Sequence, residues 1–373
     1  MRKKRKGAVA YLGLIVAISL ILAVLLPSGV MSTDPGVKKF PIGEEIPVMA
    51  VNMRSDALAE VYEFAKVYRL KWDELPCPVP DPGKFTDDGY EDETIKVTTT
   101  WERLVKKSVS RDDPGYNCEM YFAEIEIAHP SQMRTAWSFA YEGNYNSHKL
   151  LPPVKIAKPM NAVLAVNGDF ASFHTKGVIF RQDNLARMSP QGWDTLFIDD
   201  RGDFHIINDT EIDIDENGDF KKTDQNGDEN TYHIVNSMSF GPSLVVDGQI
   251  RVDHARNRSA RESLDGVLIS VGRHPRAAVG QIGELHYLIV VVCGRGTIGR
   301  DRKSSNGISC DDLAEIMYDR GCVQAYNLDG GLSAMLILDD QILNPVPREG
   351  FRIINDILFF ATAVGERPSP ENN

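Results

Sequence analysis

Residues 285–293 read Leu-His-Tyr-Leu-Ile-Val-Val-Val-Cys, a β-rich apolar run with almost no polar alternation. Successive strand residues face opposite ways, so such a run predicts a strand covered on both faces. Residues 162–166 (Ala-Val-Leu-Ala-Val) repeat the pattern, whereas residues 121–127 alternate as a half-buried strand does. Between Ser309 and Arg320 lies the clearest helix. Ser309 is a natural N-cap, Asp311 and Asp312 suit the first turn, Leu313, Ile316 and Met317 share a face, and Gly321 follows as the stop. Strand 285–293, this helix and strand 323–326 are therefore predicted to form a β-α-β unit. The class is α+β: a mixed β-sheet core with few helices, preceded by one N-terminal transmembrane helix.

The N-terminal expectation rests on Arg2 to Lys6, five basic residues ahead of 19 uncharged, mostly apolar ones from Ala8 to Leu26. That length crosses a hydrocarbon core, and the basic cluster stays cytoplasmic. No small-x-small cleavage pattern follows, which favours an uncleaved anchor over a signal peptide. Residues 1–26 are thus a cytoplasmic stub and anchor. Residues 27–93 form a linker with a helical stretch over 56–75, residues 94–365 the main domain, and 366–373 a polar tail. The body is placed outside the cell membrane as a single-pass protein. Its formal charge of −12 grows more negative once the basic stub is set aside, which disfavours nucleic acid as a partner. Cys77 and Cys118 could pair, but five cysteines exclude complete pairing within one chain. No Cys/His cluster has zinc spacing, and no His-x-x-x-His, Gly-x-Ser-x-Gly or Gly-Lys-Ser/Thr pattern occurs.

The chemistry-bearing residues follow the apolar runs. Asn327-Leu328-Asp329-Gly330-Gly331-Leu332-Ser333-Ala334 sets a carboxylate before two glycines, which leave no side chain to bury but let backbone approach a ligand. Asn167-Gly168-Asp169-Phe170 follows strand 162–166, although Asn-Gly is also a hairpin turn. Residues 239–248 read as turn, strand and turn. Arg273-His274-Pro275-Arg276 places two arginines, whose planar forks suit phosphate or carboxylate, before the central strand. Gly294-Arg295-Gly296 and Gly307-Ile308-Ser309 run into the helix N-terminus, a geometry that favours anions.

Taken in order from about residue 121 to 363, these segments resemble the phosphodiester glycosidase family. Asn167-Gly168-Asp169-Phe170-Ala171 is similar to the family's Asn-Gly-Gly-Phe-Phe. Phe240-Gly241-Pro242-Ser243-Leu244-Val245-Val246-Asp247-Gly248 resembles its Phe-Gly-Pro-x-Leu-Val-x-x-Gly, and Pro275-Arg276-Ala277-Ala278-Val279-Gly280 its Pro-Arg-Thr-Ala-x-Gly. The Asp329 segment is similar to Asn-Leu-Asp-Gly-Gly-Gly-Ser-Ser, and Arg352 with Asn355 resembles a late Arg-x-x-x-Asn pair. Asp169 and Leu332 stand at family glycines, Cys293 at an aspartate and Ala334 at a serine. The resemblance implies hydrolysis of a sugar-1-phosphodiester at its glycosidic C–O bond in a glycan or sugar-phosphate polymer, with no cofactor required. Arg276, and with it Arg295, would hold the departing phosphate, aided by the amides of Gly330 and Gly331. Asp329 would activate water or stabilise an oxocarbenium-like centre, with Asp169 a second carboxylate. Asn167, Gly168, Asn327, Ser333 and Arg352 complete the expected substrate contacts. The alternative is a non-catalytic envelope protein that binds anionic glycopolymer or assists exopolysaccharide assembly.

Outside the resemblance, Asp213, Asp215, Asn217, Asp219 and Asp224 place oxygen side chains as in a calcium loop, with Gly218 sixth. The same residues also suit a long hairpin tipped by Asn-Gly, between strands near 204–207 and 232–235.

Overall fold

The computed structural model describes residues 77–110, 115–138, 150–170, 176–215, 217–223, 227–255, 270–348 and 350–363. Twenty strands and two α-helices account for most of them. The strands of the largest sheet lie in the order β1 (Phe85–Thr86), β2 (Gly89–Glu91), β3 (Ile95–Lys106), β4 (Tyr116–Ile127), β16 (His286–Val292), β15 (Arg276–Gly283), β17 (Gln324–Asn327), β13 (Ser243–Val246) and β14 (Gln249–Ile250). A five-stranded sheet runs β19 (Gln341–Ile342), β18 (Leu336–Leu338), β6 (Ala162–Asn167), β20 (Asp356–Ala361) and β5 (Met133–Trp137). A four-stranded sheet comprises β10 (Phe204–Asn208), β9 (Asp194–Asp199), β12 (Glu229–Met238) and β11 (Asp219–Thr223), and β7 (Gly177–Arg181) pairs with β8 (Asn184–Ser189).

Every pairing among these strands is antiparallel, so the sheets are not of the mixed kind expected. The predicted β-α-β unit is correspondingly wider. β16 and β17 do run parallel, but β15 lies between them and is antiparallel to each. β1 and β2 join the large sheet from upstream of the boundary expected at residue 94.

The unbroken apolar character of β16 has a direct cause. Tyr287, Ile289 and Val291 enter a core shared with β6, β9, β10, β12, β18 and β20, while Leu288, Val290 and Val292 enter a second core on the other face. That second core is closed by α2 (Cys310–Asp319), which contributes Leu313, Ala314, Ile316 and Met317. The Ser309 hydroxyl accepts the Asp312 amide at 3.1 Å, and Gly321 takes a left-handed φ of 88° beyond the helix end. Both ends fall where the sequence placed them. On the outer face of the five-stranded sheet, α1 (Pro153–Ala157) supplies Ile156 and Ala157 to a third cluster.

The N-terminal apolar run and the helix expected over 56–75 lie outside the described residues. Among the described residues no helix is long and apolar enough to cross a membrane. None of the five cysteines forms a disulfide: Cys77 donates its thiol to the Met160 carbonyl at 2.7 Å, and Cys118 is buried.

Candidate functional site at a crossover between sheets

The Asp329 segment carries the chain from the large sheet to the five-stranded one. β17 ends at Asn327, where it pairs with Ala278 of β15. The Leu328 amide still donates to Ala277, but the Asp329 amide turns to the Gly168 carbonyl at 3.2 Å, just past the end of β6. A 3-10 turn over Gly331–Ser333 then leads into β18. The two glycines are needed for different reasons. A Cβ on Gly330 would stand 2.6 Å from the Pro275 carbonyl oxygen, and Gly331 sits at a φ of 64°, favourable mainly to glycine.

Asn167 clamps this crossover. Its side-chain amide donates to the Asp329 carbonyl at 2.6 Å, and its oxygen accepts the Met335 amide at 3.2 Å. Fully buried, it positions the loop rather than facing a ligand. The Asp329 carboxylate accepts the Gly330 amide at 2.8 Å and lies 3.6 Å from the Arg352 guanidinium. The Asp329 side chain is 11% exposed and that of Arg352 41%, so the pair joins a recessed carboxylate to an accessible cation. Arg352 is itself placed: its amide donates to the Leu332 carbonyl at 2.9 Å, and its guanidinium lies 5.6 Å from the centre of the Phe170 ring. Phe170 holds a φ of 66°, an uncommon conformation for a bulky residue and one of the strained positions that cluster at functional sites.

The other expected site residues are distributed differently. Arg276 is only 3% exposed, and its guanidinium donates to the carbonyls of Ile308, Ser270 and Gly272. Because Ala277 and Val279 face the inner core, alternation sends Arg276 to the α2 side, where it braces loops instead of presenting its fork beside Asp329. The Gly330 and Gly331 amides are also engaged, with Asp329 and with the Pro275 carbonyl at 3.0 Å. Asn327 donates to the Gly241 carbonyl at 2.8 Å, leaving its buried oxygen without a partner. The buried Ser333 hydroxyl and Asn355 side-chain nitrogen are likewise unpartnered. Arg295 is exposed, and together with Arg276 and burial it depresses the His274 pKa, burial being the largest cause.

Asp169 is not open to solvent. It is fully buried and paired with Arg181 at 2.8 Å, and the same guanidinium nitrogen reaches Asp356 at 2.6 Å. Gly168 must be glycine because a Cβ would fall 2.5 Å from the Asp356 carboxyl. Sequence reasoning passed over Arg181 and Asp356. Their signal was a charge at the edge of an apolar run, which when buried requires a partner.

In the calcium-like segment, the Asp215 carboxylate accepts the amides of Asn217 and Asp219, and the Asp219 carboxylate meets His233 at 2.6 Å. Asp213 is exposed, and Asp224 lies outside the described residues. β11 and β12 form the hairpin, and among the described residues no group of three or more His, Cys, Asp or Glu is placed to hold a metal.

The model of the phosphodiester glycosidase family matches residues 160–361, more than half of the chain. The chain belongs to that family. The match contains the Asn167, Arg276, Asp329 and Arg352 segments together. The chain is also similar to an uncharacterized SPbeta prophage-derived protein, YomE, of Bacillus subtilis (strain 168), at 28% identity over 123 residues. That match covers 33% of this chain and 17% of the relative's length. Among solved structures, the catalytic domain of zebrafish N-acetylglucosamine-1-phosphodiester alpha-N-acetylglucosaminidase, auto-inhibited by its pro-peptide, aligns with a TM-score of 0.50 at 16% identity. The alignment covers 76% of this chain and 87% of that one, a likeness of fold. A hypothetical protein from Synechocystis aligns at 0.46 and 16% identity, covering 72% of this chain and 62% of that one.

Proposed function

We propose that this family member is a membrane-anchored, extracytoplasmic hydrolase that cleaves a sugar-1-phosphodiester at the glycosidic C–O bond in a glycan or cell-envelope polymer. The observation that carries this reading is the Asp329–Arg352 pair, 3.6 Å apart at the sheet crossover, with the cation open to solvent and seated beside an aromatic ring. In this reaction water adds to the sugar's C1 while the C1–O bond breaks and its electron pair leaves with the phosphate. Phosphate is a good leaving group, so cationic stabilisation matters more than a strong general acid. Arg352 takes that role in place of the buried Arg276. Asp329 faces C1, where it activates water or stabilises developing positive charge. Asn167 and the glycines hold the carboxylate in position, and the negative body, tethered through residues 8–26, stays clear of anionic headgroups.

An aryl sugar-1-phosphodiester supplied in water enriched in oxygen-18 tests the reaction class. Label in the free sugar supports cleavage at C1, and label in the phosphate overturns it. The reading as a binder of anionic glycopolymer draws on one observation: the Gly330 and Gly331 amides and the Arg276 fork are already bonded within the protein. Glycan binding without turnover would favour it.

A further inference from the structure

Behind the crossover, three charged side chains from different elements meet in one buried place. Asp169 follows β6, Arg181 ends β7 and Asp356 opens β20, and all three are essentially inaccessible to solvent. One Arg181 nitrogen donates to Asp169 at 2.8 Å and to Asp356 at 2.6 Å, while another donates to the carbonyls of Phe180 and Ser237. Asp169 also accepts the Ser239 amide at 2.8 Å, and the Trp137 ring covers the guanidinium at 5.1 Å. Arg187 of β8 is near enough to feel the Asp169 charge, and Tyr326 of β17 faces the same carboxylate but donates its hydroxyl to the Asp194 carbonyl. One arginine nitrogen thus bridges two buried carboxyl groups. Two carboxylates beside one guanidinium leave an excess negative charge in a place closed to water, which a proton on one of them removes.

This unit touches the crossover directly. The Asp356 carboxyl packs against the Cα of Gly168, whose amide donates to the Asp356 carbonyl at 3.0 Å and whose carbonyl receives the Asp329 amide. We propose that Asp169 and Asp356 hold one proton between them beside Arg181, and that this three-residue unit positions Gly168 and, through it, the Asp329 carboxylate. The unit is neutral with the proton in place and carries one excess negative charge without it. Burial, and then the Asp169 charge, push the Asp356 pKa up to about 7. An unfolded aspartate titrates near ~3.9, so the folded state holds this proton more tightly. The group's contribution to stability is therefore greatest below about pH 4 and declines as pH rises toward about 7.

The decisive measurement is a carboxyl carbon-13 NMR titration of the full-length protein labelled at aspartate. Wild type should show a buried carboxyl titrating near neutrality, and Asp356→Asn should lose it. An asparagine there can donate to Asp169 and still accept from Arg181, so its melting temperature should not show the part of the wild-type decline that falls between about pH 4 and 6.5. No aspartate titrating above pH 6 in wild type, or an unchanged pH dependence in the variant, would overturn the shared proton. Should Asp356→Asn not fold, Asp169→Asn provides the second isosteric test and the wild-type titration still decides. The positioning role rests on the hydrolase reading. In wild type kcat should change with a midpoint near pH 7, a step that Asp356→Asn removes while KM holds. A merely structural group would instead lower activity at every pH. A wild type without turnover defeats the hydrolase reading, with the proton still decided by the titration.

Discussion

Two sites in this molecule set one cation between two aspartates, and they settle the charge in opposite ways. At Asp169–Arg181–Asp356 the cation is permanent and all three groups are buried, so the second carboxyl escapes burial as an anion by keeping a proton. At Asp183–His233–Asp219 the side chains are 22–35% exposed, with contacts of 2.8 and 2.6 Å, and the histidine takes the proton instead. Its pKa is pushed up to about 9, first by the hydrogen bond to Asp183, while burial works the other way. Solvent access decides whether two carboxylates can both remain charged.

Breaking the buried unit should have the largest effect on stability. Arg181→Met leaves two buried acids without their cation and should cost roughly 3–5 kcal/mol, read as a lower denaturant midpoint. A loss under about 1 kcal/mol would mean that the guanidinium does not neutralise them.

The histidine site should respond less and with a distinct pH signature. Its folded pKa of about 9 exceeds the unfolded value near ~6.5, so its stabilisation is complete below about pH 6.5 and is lost as pH rises through about 9. His233→Gln should therefore cost about 1–2 kcal/mol at pH 6, after discounting for partial exposure, and almost nothing at pH 10. A penalty independent of pH would assign the residue a packing role.

The smallest effect belongs to Lys221–Glu229, an exposed pair on the same hairpin at 2.6 Å. Lys221→Ala should leave the melting temperature unchanged, because water and salt already screen these charges. A clear drop would show that the hairpin depends on surface charge more than the comparison allows.

The sequence revealed what short-range signals encode. Ser309 and Gly321 bound the helix because caps are local, and residues 285–293 read as doubly covered because every side chain in the run except His286 is apolar. The place of β15 was hidden. Ala278 and Gly280 are small where the α2 side packs closely, and a Cβ on Gly280 would stand 2.6 Å from the Cys322 sulfur. Small residues demanded by close packing give little strand signal. Missing β15 concealed the facing of Arg276, which follows from its alternation with Ala277. The Asp329 loop was legible as a place where backbone must approach something closely. That its neighbours would be Pro275 and Gly168 depends on contacts between distant segments.

The central claim is that the crossover pair carries out hydrolysis, and its most direct measurement is the turnover of a sugar-1-phosphodiester by wild type, Asp329→Asn and Arg352→Lys side by side. Asp329→Asn is nearly isosteric and should keep the melting temperature while lowering kcat by roughly 10²–10³-fold. Arg352→Lys should also be damaging, since lysine keeps the charge but not the planar fork. Wild-type rates in a folded Asp329→Asn protein would contradict the account.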